Sequence, residues 1–557
     1  MKEISRMTAG PSSQDREGDV ARLCREAMES HFTRRQFVER ALLLGLSTTA
    51  LGSLASACGG ETGGSSGGTG KTIATYTMIR EPYNSLDPAI DTADGPTVFW
   101  NVYDSLVKYN GQTKSVEPDL ATDYIVSKDG KTWTFNLRKG IKFHDGTDFD
   151  ANDVKATIDY YQRMNQGGTW IWSVVKDVEV KDPYTVVFHL KYPAPLDLIA
   201  TASTASQIIS GDALKKHGDK WLSDGNEAGT GPYIMESHTA DSVVLARFPQ
   251  YWKGWEGQHF DKVLLKKVAE AATRRQMVES GECDVTNELT PNDLAALAKN
   301  QNLSIVAADC YRNLLISVLC DRKPTSDVRV RQALAYAMPY DSAIEAAVGG
   351  FGKQAMSVVP SNLWGTATDA TQYGTDLDKA KQLLAEAGYP DGGLTLTGMY
   401  LSGDEPKRKV MELFKASLAQ LNIDLKLRSG PWGATWEEAK GKNPPDLFSM
   451  WWWPTYVDPS DWLYSLCRSE DEVYYNLARY KNSKVDSLID NGQMKSASNR
   501  EAATKDFVDA QKIIMQDVPW IPVLEAKTVY VTQKSLQGFV PNPAYDFTVE
   551  WYPCQRA

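Results

Sequence analysis

The residues of this chain with the most distinctive chemistry are the tryptophans in the stretch Ser449–Trp462, which reads SMWWWPTYVDPSDW. In a β-strand, Trp451 and Trp453 would face one side of the sheet and Trp452 the other, because successive side chains alternate. The proline that follows would end the strand, so these rings are expected near a strand's carboxyl end, where open α/β sheets bind ligands. Aromatic faces suit sugar rings, peptide side chains and cations. We therefore predict that Trp452, Trp453 or both contact a ligand.

Further candidate ligand contacts are aromatic or charged side chains elsewhere in the chain: Tyr456, Trp170, Trp432, Trp436 and Arg312. Each of these tryptophans fits the wall of a cleft and the interior of a hydrophobic core equally well. Arg312 would meet a carboxylate of the solute or, equally, form a salt bridge between two parts of the chain. Asp458 has a structural interpretation, since Asp458-Pro459-Ser460-Asp461 is typical of the capped start of a helix.

No catalytic or metal-binding motif accompanies these residues. The six histidines are scattered, and the sequence contains no H-E-x-x-H, P-loop or dinucleotide-binding fingerprint. G-x-S-x-G does not occur outside the glycine- and serine-rich residues 59–70. A glycosidase needs only two carboxylates in an aromatic cleft, so it remains a remote alternative. We predict no catalytic residues, no metal, no cofactor and no enzymatic activity.

Composition and charge exclude several classes of protein. With 42% hydrophobic and 24% charged residues, the chain has the composition of an ordinary globular protein. Its formal net charge is −11 and no basic stripe occurs, which argues against nucleic-acid binding. The 557 residues exceed what one hydrophobic core usually serves, so two or more lobes are expected.

The elements that must position the candidate residues alternate between short strands and amphipathic helices, which favours a mixed α/β fold. A helix is predicted at Ala271–Ser280. Strands are predicted, among other places, at Thr72–Met78, Cys283–Val285, Leu303–Ala307 and Asp446–Trp453. The last of these strands would carry the run of tryptophans.

The amino-terminal part has the features of an export signal. Thr33-Arg34-Arg35-Gln36-Phe37-Val38 is a twin-arginine motif, and the apolar run Ala41–Leu54 that follows it is too short to span a membrane. Such a segment is typical of a removable signal. The pair Arg34 and Arg35 is typical of the pathway that exports proteins already folded.

A lipid anchor is predicted directly after this signal. Cys58 follows the small residues Ala55-Ser56-Ala57, which favours lipoprotein cleavage with the lipid on Cys58. The same Ala-Ser-Ala is also an ordinary peptidase site, whose use would release a soluble protein. Residues 59–70 are rich in glycine and serine and predict a flexible tether. We expect an extracytoplasmic protein, at the periplasm or cell surface, that is anchored to the membrane.

Five cysteines follow the predicted anchor: Cys283, Cys310, Cys320, Cys467 and Cys554. None forms a C-x-x-C pair, which argues against a zinc or redox site. Outside the cytoplasm a disulfide can form, and the pair expected here is Cys283 with Cys310. The odd number leaves at least one free thiol.

Several motifs occur in a fixed order along the chain: Glu117–Ala121, Asp129–Arg138, Gly140–Gly146, Ala151–Val154, Gly229–Tyr233, Arg329–Leu334 and Ala380–Pro390. Together they resemble the family-5 extracellular solute-binding proteins of ABC importers, the peptide/nickel-binding group. Any one motif is weakly specific, but the ordered set is specific and covers nearly the whole chain after the tether.

This resemblance implies a bilobed α/β fold of the periplasmic-binding-protein type, which closes like a clamp and carries an extra subdomain in its first lobe. The implied crossings between the lobes lie near Ala308–Arg312 and Asp517–Pro522. The implied domains are the leader and signal 1–57, the lipidated cysteine and tether 58–70, lobe I with its inserted subdomain 71–310, lobe II 311–517, and the return to lobe I 518–557.

The resemblance also implies a monomeric receptor that hands a solute, by family default a peptide, to the permease subunits of an ABC importer. Peptide-binding members carry an acid three residues before the Asp-Pro pair, where it meets the peptide's α-amino group. Here that position is Thr455, which has no charge to offer a buried ammonium. Another acid could replace it; the alternative is an oligosaccharide or another uncharged solute.

Overall fold

The structure is a computed structural model that describes residues 72–557. The predicted export pair Arg34 and Arg35, the predicted lipidation site Cys58 and the predicted tether lie outside the described residues. Within the described part, no helix is long and apolar enough to cross a membrane.

The strands of the described part are numbered along the chain. They are β1 Ile73–Met78, β2 Val107–Asn110, β3 Ser115–Pro118, β4 Ala121–Val126, β5 Thr132–Leu137, β6 Val175–Asp182, β7 Thr185–Leu190, β8 Tyr233–Thr239, β9 Ser242–Arg247, β10 Lys262–Lys267, β11 Val285–Asn287, β12 Leu303–Val318, β13 Gly352–Gln354, β14 Leu394–Leu401, β15 Ile423–Gly430, β16 Leu447–Trp452, β17 Trp520–Gln533, β18 Leu536–Gln537 and β19 Gln555–Arg556.

The α-helices are numbered in the same way, and a 3₁₀-helix occupies Gly167–Val174. They are α1 Pro96–Val102, α2 Ala151–Met164, α3 Leu196–Ile199, α4 Gly211–His217, α5 Ala271–Ser280, α6 Pro291–Leu297, α7 Val328–Ala337, α8 Tyr340–Val348, α9 Leu377–Glu386, α10 Glu405–Ala419, α11 Trp432–Lys440, α12 Pro459–Cys467, α13 Ser483–Ser496 and α14 Arg500–Asp517. The mixed α/β class predicted from the sequence is confirmed.

The largest sheet has eleven strands in the order β15-β14-β16-β12-β17-β11-β1-β10-β9-β8, with β13 paired to β17 outside this path. The parallel pairs of β1 with β10 and β11 lie on one side, and those of β14 with β15 and β16 lie on the other. The long antiparallel strands β12 and β17 lie between these two groups and therefore join them.

The pairing of β12 with β17 is interrupted near its middle. Residues 303–309 pair with residues 527–533, and after a register shift Asn313 pairs with Glu525. The crossing that the resemblance implies at Ala308–Arg312 overlaps this shift. One hydrophobic core lies entirely on the far side of it, between Leu314 and Ala526, while the largest core is built mainly from the first part of the chain.

A separate four-stranded antiparallel sheet, in the order β4-β5-β7-β6, lies within residues 71–310, the range predicted for lobe I with its inserted subdomain. In β5 half-buried and fully buried residues alternate, as expected of a strand with one face on a core. The neighbouring helix α2 begins with a capping box. The Asp150 side chain accepts from the N–H of Asn152, and the Asp153 side chain accepts from the N–H of Asp150.

Strands in which apolar and polar residues alternate regularly could be predicted from the sequence. Strands in which polar residues interrupt the apolar pattern could not. The predictions for β1 and α5 are confirmed to within a residue. β12 continues eleven residues beyond the predicted end at Ala307, because Asp309, Arg312 and Asn313 break the apolar pattern although the neighbouring strands hold the backbone. β11 begins where the predicted strand Cys283–Val285 ends.

The predicted disulfide between Cys283 and Cys310 is wrong. The five cysteines within residues 72–557 are all free thiols. Cys283 lies beside Thr77, whose hydroxyl is 3.5 Å from its sulfur, whereas the Cys310 thiol donates to the main-chain oxygen of Ala526 at 3.2 Å. The two thiols thus have separate polar contacts in separate parts of the fold, and burial raises the pKa of both.

Candidate functional site

The carboxyl ends of strands from the two halves of the large sheet point toward each other. β17 is antiparallel to β11, β12 is antiparallel to β17, and β16 is antiparallel to β12. The parallel strands β1 and β11 therefore run opposite to β14, β15 and β16. The register shift between β12 and β17 lies between the opposed ends. Since α/β sheets bind ligands beyond their strands' carboxyl ends, this is the candidate site.

Charged side chains from both halves meet at this place. We call this group the central charged cluster; its members are Arg80, Asp94, Glu288, Arg312, Asp404, Lys407 and Asp546.

In the first half of the cluster, Arg80 lies between two carboxylates. It follows β1, and its Nη2 is 3.3 Å from Oε1 of Glu288, which follows β11. Its Nη1 is 3.7 Å from Oδ1 of Asp94, which lies two residues before the start of α1. Burial raises the pKa of Asp94, and the charge of Arg80 opposes that rise. The single guanidinium of Arg80 therefore forms ion pairs with both Asp94 and Glu288.

The backbone of Glu288 is held in place by the buried Arg274. Nη2 of Arg274 donates to the main-chain oxygen of Glu288 at 2.9 Å, while its Nη1 donates to the main-chain oxygens of Val268 and Ala269. Glu288 has a φ of 51°, in the left-handed region that non-glycine residues rarely adopt. The guanidinium thus stabilises a turn that presents the Glu288 carboxylate to the cluster.

A small cavity of about 20 Å³ lies beside these residues, and Asp94, Asn287 and Glu288 contribute to its lining. The Tyr76 hydroxyl donates to the main-chain oxygen of Phe547 at 2.9 Å, so it accepts from Nδ2 of Asn287 at 2.7 Å. This arrangement fixes the orientation of the Asn287 amide. Its Oδ1 is buried and has no hydrogen-bond partner in the described part of the chain.

Arg312 occupies the centre of the cluster, at the register shift of β12. Its guanidinium carbon is 4.9 Å from the centre of the Trp451 ring and 4.7 Å from that of Phe547, so the cation lies over two aromatic faces. Its Nε is 3.2 Å from Oδ2 of Asp546, yet neither atom has an aligned hydrogen bond. Arg312 therefore forms the ion pair that was one of its two predicted roles.

Asp404 and Lys407 complete the cluster from the second half. Asp404 caps α10, since its Oδ1 accepts from the N–H of Lys407 at 3.1 Å, and its Oδ2 is 3.0 Å from Lys407 Nζ. Burial lowers the pKa of Lys407; Asp404 raises it, and the charges of Arg80 and Arg312 lower it further. The charges of Arg80 and Arg312 thus act on Lys407 from the other half of the cluster.

Three of the predicted aromatic residues form a row with Tyr475. The ring centres of Trp432 and Trp436 are 4.9 Å apart and stacked, those of Trp436 and Tyr475 are 5.5 Å apart, and those of Tyr475 and Trp452 are 5.0 Å apart. Trp432, beyond the end of β15, is 47% exposed, whereas Trp452 is only 8% exposed. The row therefore runs from the surface into the core.

The other predicted aromatic residues are placed differently. Trp453 directly follows β16 and is 43% exposed. Thr455 and Tyr456 contact the first half of the chain: the N–H of Ser203 donates to the main-chain oxygen of Thr455 at 3.0 Å, and the Tyr456 ring lies 6.2 Å from that of Trp170. These two contacts join residues 453–458, which we call the tryptophan loop, to the first half of the chain, and Tyr456 itself is buried.

Two fully buried acids shape this loop. Asp458 caps α12, as predicted, since its Oδ1 accepts from the N–H of Ser460 at 2.8 Å. Asp461 accepts from Nε1 of Trp452 at 3.2 Å and from the N–H of Thr455 at 3.4 Å. Burial raises the pKa of Asp458 to about 6 and that of Asp461 to about 8. Both acids hold the loop, and neither is exposed to a ligand.

Most of the central charged cluster was not predicted from the sequence. Of its seven members only Arg312 was a candidate, because the candidates were chosen as aromatic residues and family motifs. A usable criterion existed, since Arg80 and Glu288 follow strands and Asp404 lies between a strand and a helix. Charged residues directly after parallel strands deserve the same weight as aromatic ones.

Comparisons with known proteins show the family to which this chain belongs. A model of the bacterial extracellular solute-binding proteins, family 5 (middle region), matches residues 115–473. This chain belongs to that family. Its relatives include the glutathione-binding protein GsiB of Salmonella paratyphi A, 32% identical over 484 residues that cover 84% of this chain and 92% of the relative. GsiB of Escherichia coli O1:K1 is 31% identical over the same coverage.

Solved structures of bacterial binding proteins have a similar fold. The periplasmic binding protein DppA from Helicobacter pylori, in complex with the peptide STSA, is 25% identical and covers 86% of this chain and 99% of its own, with a TM-score of 0.74. The oligopeptide-binding protein AppA from Bacillus subtilis, in complex with a nonapeptide, is 22% identical and covers 87% and 99%, with a TM-score of 0.74. The periplasmic-binding-protein fold implied by the family resemblance is therefore confirmed.

Proposed function

We propose that this protein is an extracytoplasmic receptor that closes two lobes around a small peptide-like solute and delivers it to the permease of an ABC importer. The observation that carries the proposal is the central charged cluster. Cations and carboxylates from both halves of the sheet meet there, at the opposed strand ends. A ligand with both an ammonium and carboxylates can exchange partners with such ion pairs, whereas a neutral solute would leave the desolvated charges uncompensated.

Three further features support a peptide-like ligand. Arg312 presents a planar cation between two aromatic rings, an arrangement suited to a carboxylate. Lys407 adds a second cation from the other half. Among the relatives, GsiB is named for glutathione, a tripeptide that carries two carboxylates and one ammonium.

The lobes in this proposal are residues 71–310 together with 518–557, and residues 311–517. The hinge would lie in the middle of β12 and β17, where their pairing shifts. Closing of the lobes would bring Trp453, at the end of β16, toward Arg80, at the end of β1. The protein would act as a monomer that binds without covalent chemistry, so its ligand should be recovered unchanged after incubation.

Thermal unfolding of the purified protein with a panel of ligands tests the proposal. A ligand that binds the native state raises the melting temperature. We expect glutathione or a free tripeptide to raise it and neutral oligosaccharides to leave it unchanged. If only oligosaccharides stabilise the protein, the peptide proposal is wrong.

The second candidate function is an oligosaccharide receptor of the same fold. It is favoured by the exposed ring of Trp432, which stacks on Trp436, and by the exposed Trp453, since such faces suit sugar rings. Replacing Trp432 with alanine separates the two candidates. The change should abolish the binding of a stacked sugar and leave the binding of a peptide at the charged cluster intact.

The proposed location rests on the amino-terminal sequence. Cys58 would carry the lipid, and Arg34 with Arg35 would direct export. Cell fractionation tests this part separately. A Cys58→Ser variant should move from the membrane fraction to the soluble extracytoplasmic fraction, and an Arg34→Lys, Arg35→Lys double variant should stay in the cytoplasm.

A further inference from the structure

We propose that the cavity lined by Asp94, Asn287 and Glu288 receives the ammonium group of the ligand, so that the protein selects solutes with a free primary amine. This inference rests on the proposed function and makes it more specific. It assigns the amine to the first half of the chain, at the ends of β1 and β11, and not to the tryptophan loop.

The balance of charge favours a cation at this place. Arg80 is the partner of both Asp94 and Glu288, at 3.7 and 3.3 Å. The charged side chains that line the cavity are these two carboxylates and Arg80, so the lining has a net charge of −1. Arg274, which donates to the main-chain oxygen of Glu288, is not part of this lining. An ammonium group would bring that charge to zero, whereas a carboxylate would double it. A neutral hydroxyl would leave it unchanged.

The hydrogen-bonding groups also match an ammonium. Because the Tyr76 hydroxyl donates to a carbonyl oxygen, the Asn287 amide must point its nitrogen at Tyr76. The amide oxygen is therefore the free end, buried and unpaired within the described residues. An ammonium has three donors and no acceptor. Asp94, Asn287 and Glu288 offer it carboxylate and amide oxygens, all of which accept.

Size and rigidity agree with this assignment. The cavity of about 20 Å³ holds one group of the size of a water molecule, and an ammonium has that size. Arg274 holds the main chain of Glu288, and Tyr76 holds Asn287. The acceptors are thus fixed before a ligand arrives, which lowers the entropy lost on binding.

The assignment also accounts for the uncharged Thr455. The main chain of Thr455 is already engaged, since its N–H donates to Asp461 and its oxygen accepts from Ser203. Its side chain offers no carboxylate. A ligand amine would find its acids on the opposite side of the cleft, at Asp94 and Glu288.

Isothermal titration of the purified protein tests the inference with two matched pairs of probes: glutathione and trialanine, each with a free and with an N-acetylated amine. We expect acetylation to weaken binding about tenfold or more, as for the loss of a charged hydrogen bond. Glu288→Gln and Asp94→Asn should weaken the free-amine probes and leave the acetylated ones unchanged. Glu236→Gln, which removes an acid paired with Lys262 on the edge strand β8, is the control and should change neither.

The possible results separate the inference from the proposed function. If free and acetylated probes bind equally, or if the Glu288 and Asp94 variants bind the free amine as the wild type does, the inference is overturned and the peptide receptor stands. If neither form of either peptide binds while an oligosaccharide does, the proposed function fails and the inference fails with it. Because acetylation alters the ligand only, that arm does not depend on the folding of any variant.

Discussion

Two groups of buried charge in this protein are built on opposite plans. Around Asp104 every carboxylate oxygen is satisfied: Thr230 and Trp252 donate to Oδ2 at 2.9 and 3.0 Å, and Tyr251 donates to Oδ1 at 3.2 Å. Neighbouring Asp119 is paired with Lys253 at 2.8 Å. No ligand is needed to complete this network.

The central charged cluster is incomplete by comparison. Nε of Arg312 and Oδ2 of Asp546, together with Oδ1 of the neighbouring Asn287, are buried without an aligned hydrogen bond within the described residues. Unpaired buried polar atoms cost free energy, and a binding site accepts that cost because the ligand removes it. Asp458, which caps a helix, also has an unpaired buried oxygen, so such atoms indicate a candidate site only where they coincide with the opposed strand ends.

Replacing Asp104 with alanine should have the largest effect on stability. The change leaves three buried donors unpaired, each costing about 1–3 kcal/mol, so the free energy of unfolding should fall by about 3 kcal/mol or more. Urea denaturation measures it. The control is Asp148→Ala, an exposed acid paired with Lys142, whose loss should cost less than about 0.5 kcal/mol. A small effect at Asp104 would remove the contrast between the two groups.

His144 provides a second test of a satisfied network. Its Nδ1 is 2.8 Å from Glu227 and its Nε2 is 2.9 Å from the main-chain oxygen of Gly231, and since both partners only accept, both ring nitrogens must carry protons. Burial opposes the charge of His144, but Glu227 and these hydrogen bonds raise its pKa above the ordinary value.

A raised histidine pKa stabilises the fold fully below the ordinary pKa of about 6.5, and this stabilisation is lost as the pH rises through the folded value. His144→Gln should therefore cost about 2 kcal/mol at pH 6, as for the loss of charged hydrogen bonds, and less at higher pH. The measurement is the urea concentration at the midpoint of unfolding, for the wild type and the variant, at pH 6 and above. A difference from wild type that stays constant with pH would show that His144 is uncharged in the fold.

In the central charged cluster, Arg312→Lys should reduce the free energy of ligand binding more than the free energy of unfolding. Lysine keeps the charge but loses the planar group over Trp451 and Phe547, a contact worth about 1 kcal/mol. We expect the Kd for glutathione to rise about fivefold, with a smaller loss of unfolding free energy than Asp104→Ala. Equal loss of stability in both variants would place Arg312 among the structural charges.

Asp461 is only partly hydrogen-bonded. Its Oδ2 accepts two hydrogen bonds, and its Oδ1 has no partner within the described residues. Burial raises its pKa to about 8, so its contribution to stability is present below the ordinary carboxyl pKa and is lost as the pH rises toward 8. Asp461→Asn keeps an acceptor and cannot ionise. It should match the wild type near pH 4 and be more stable than the wild type at pH 8, because the wild type loses stability over this range and the variant does not. A variant less stable than wild type at pH 8 would show that the carboxylate is ionised and useful.

Much of the local structure could be predicted from the sequence. The helix cap at Asp458 and the strand β1 follow from residue types a few positions apart, whose energetics are local. The ordered motifs led to the family, and the aromatic run led to strand β16. The disulfide prediction failed because the distance between two thiols depends on the whole fold.

The sequence by itself determined the class of fold, the family and the helix cap at Asp458, because these depend on periodicity and on neighbours along the chain. The tertiary structure alone decided which residues form the candidate site. Tyr76 and Phe547 are 471 positions apart and share a hydrogen bond, and Arg80 reaches Glu288 across 208 positions. Those contacts exist because opposed strands bring their carboxyl ends together in the middle of one sheet. No local sequence pattern predicts that these strand ends lie together. The free energy that stabilises this arrangement comes from burying many residues that are distant in sequence.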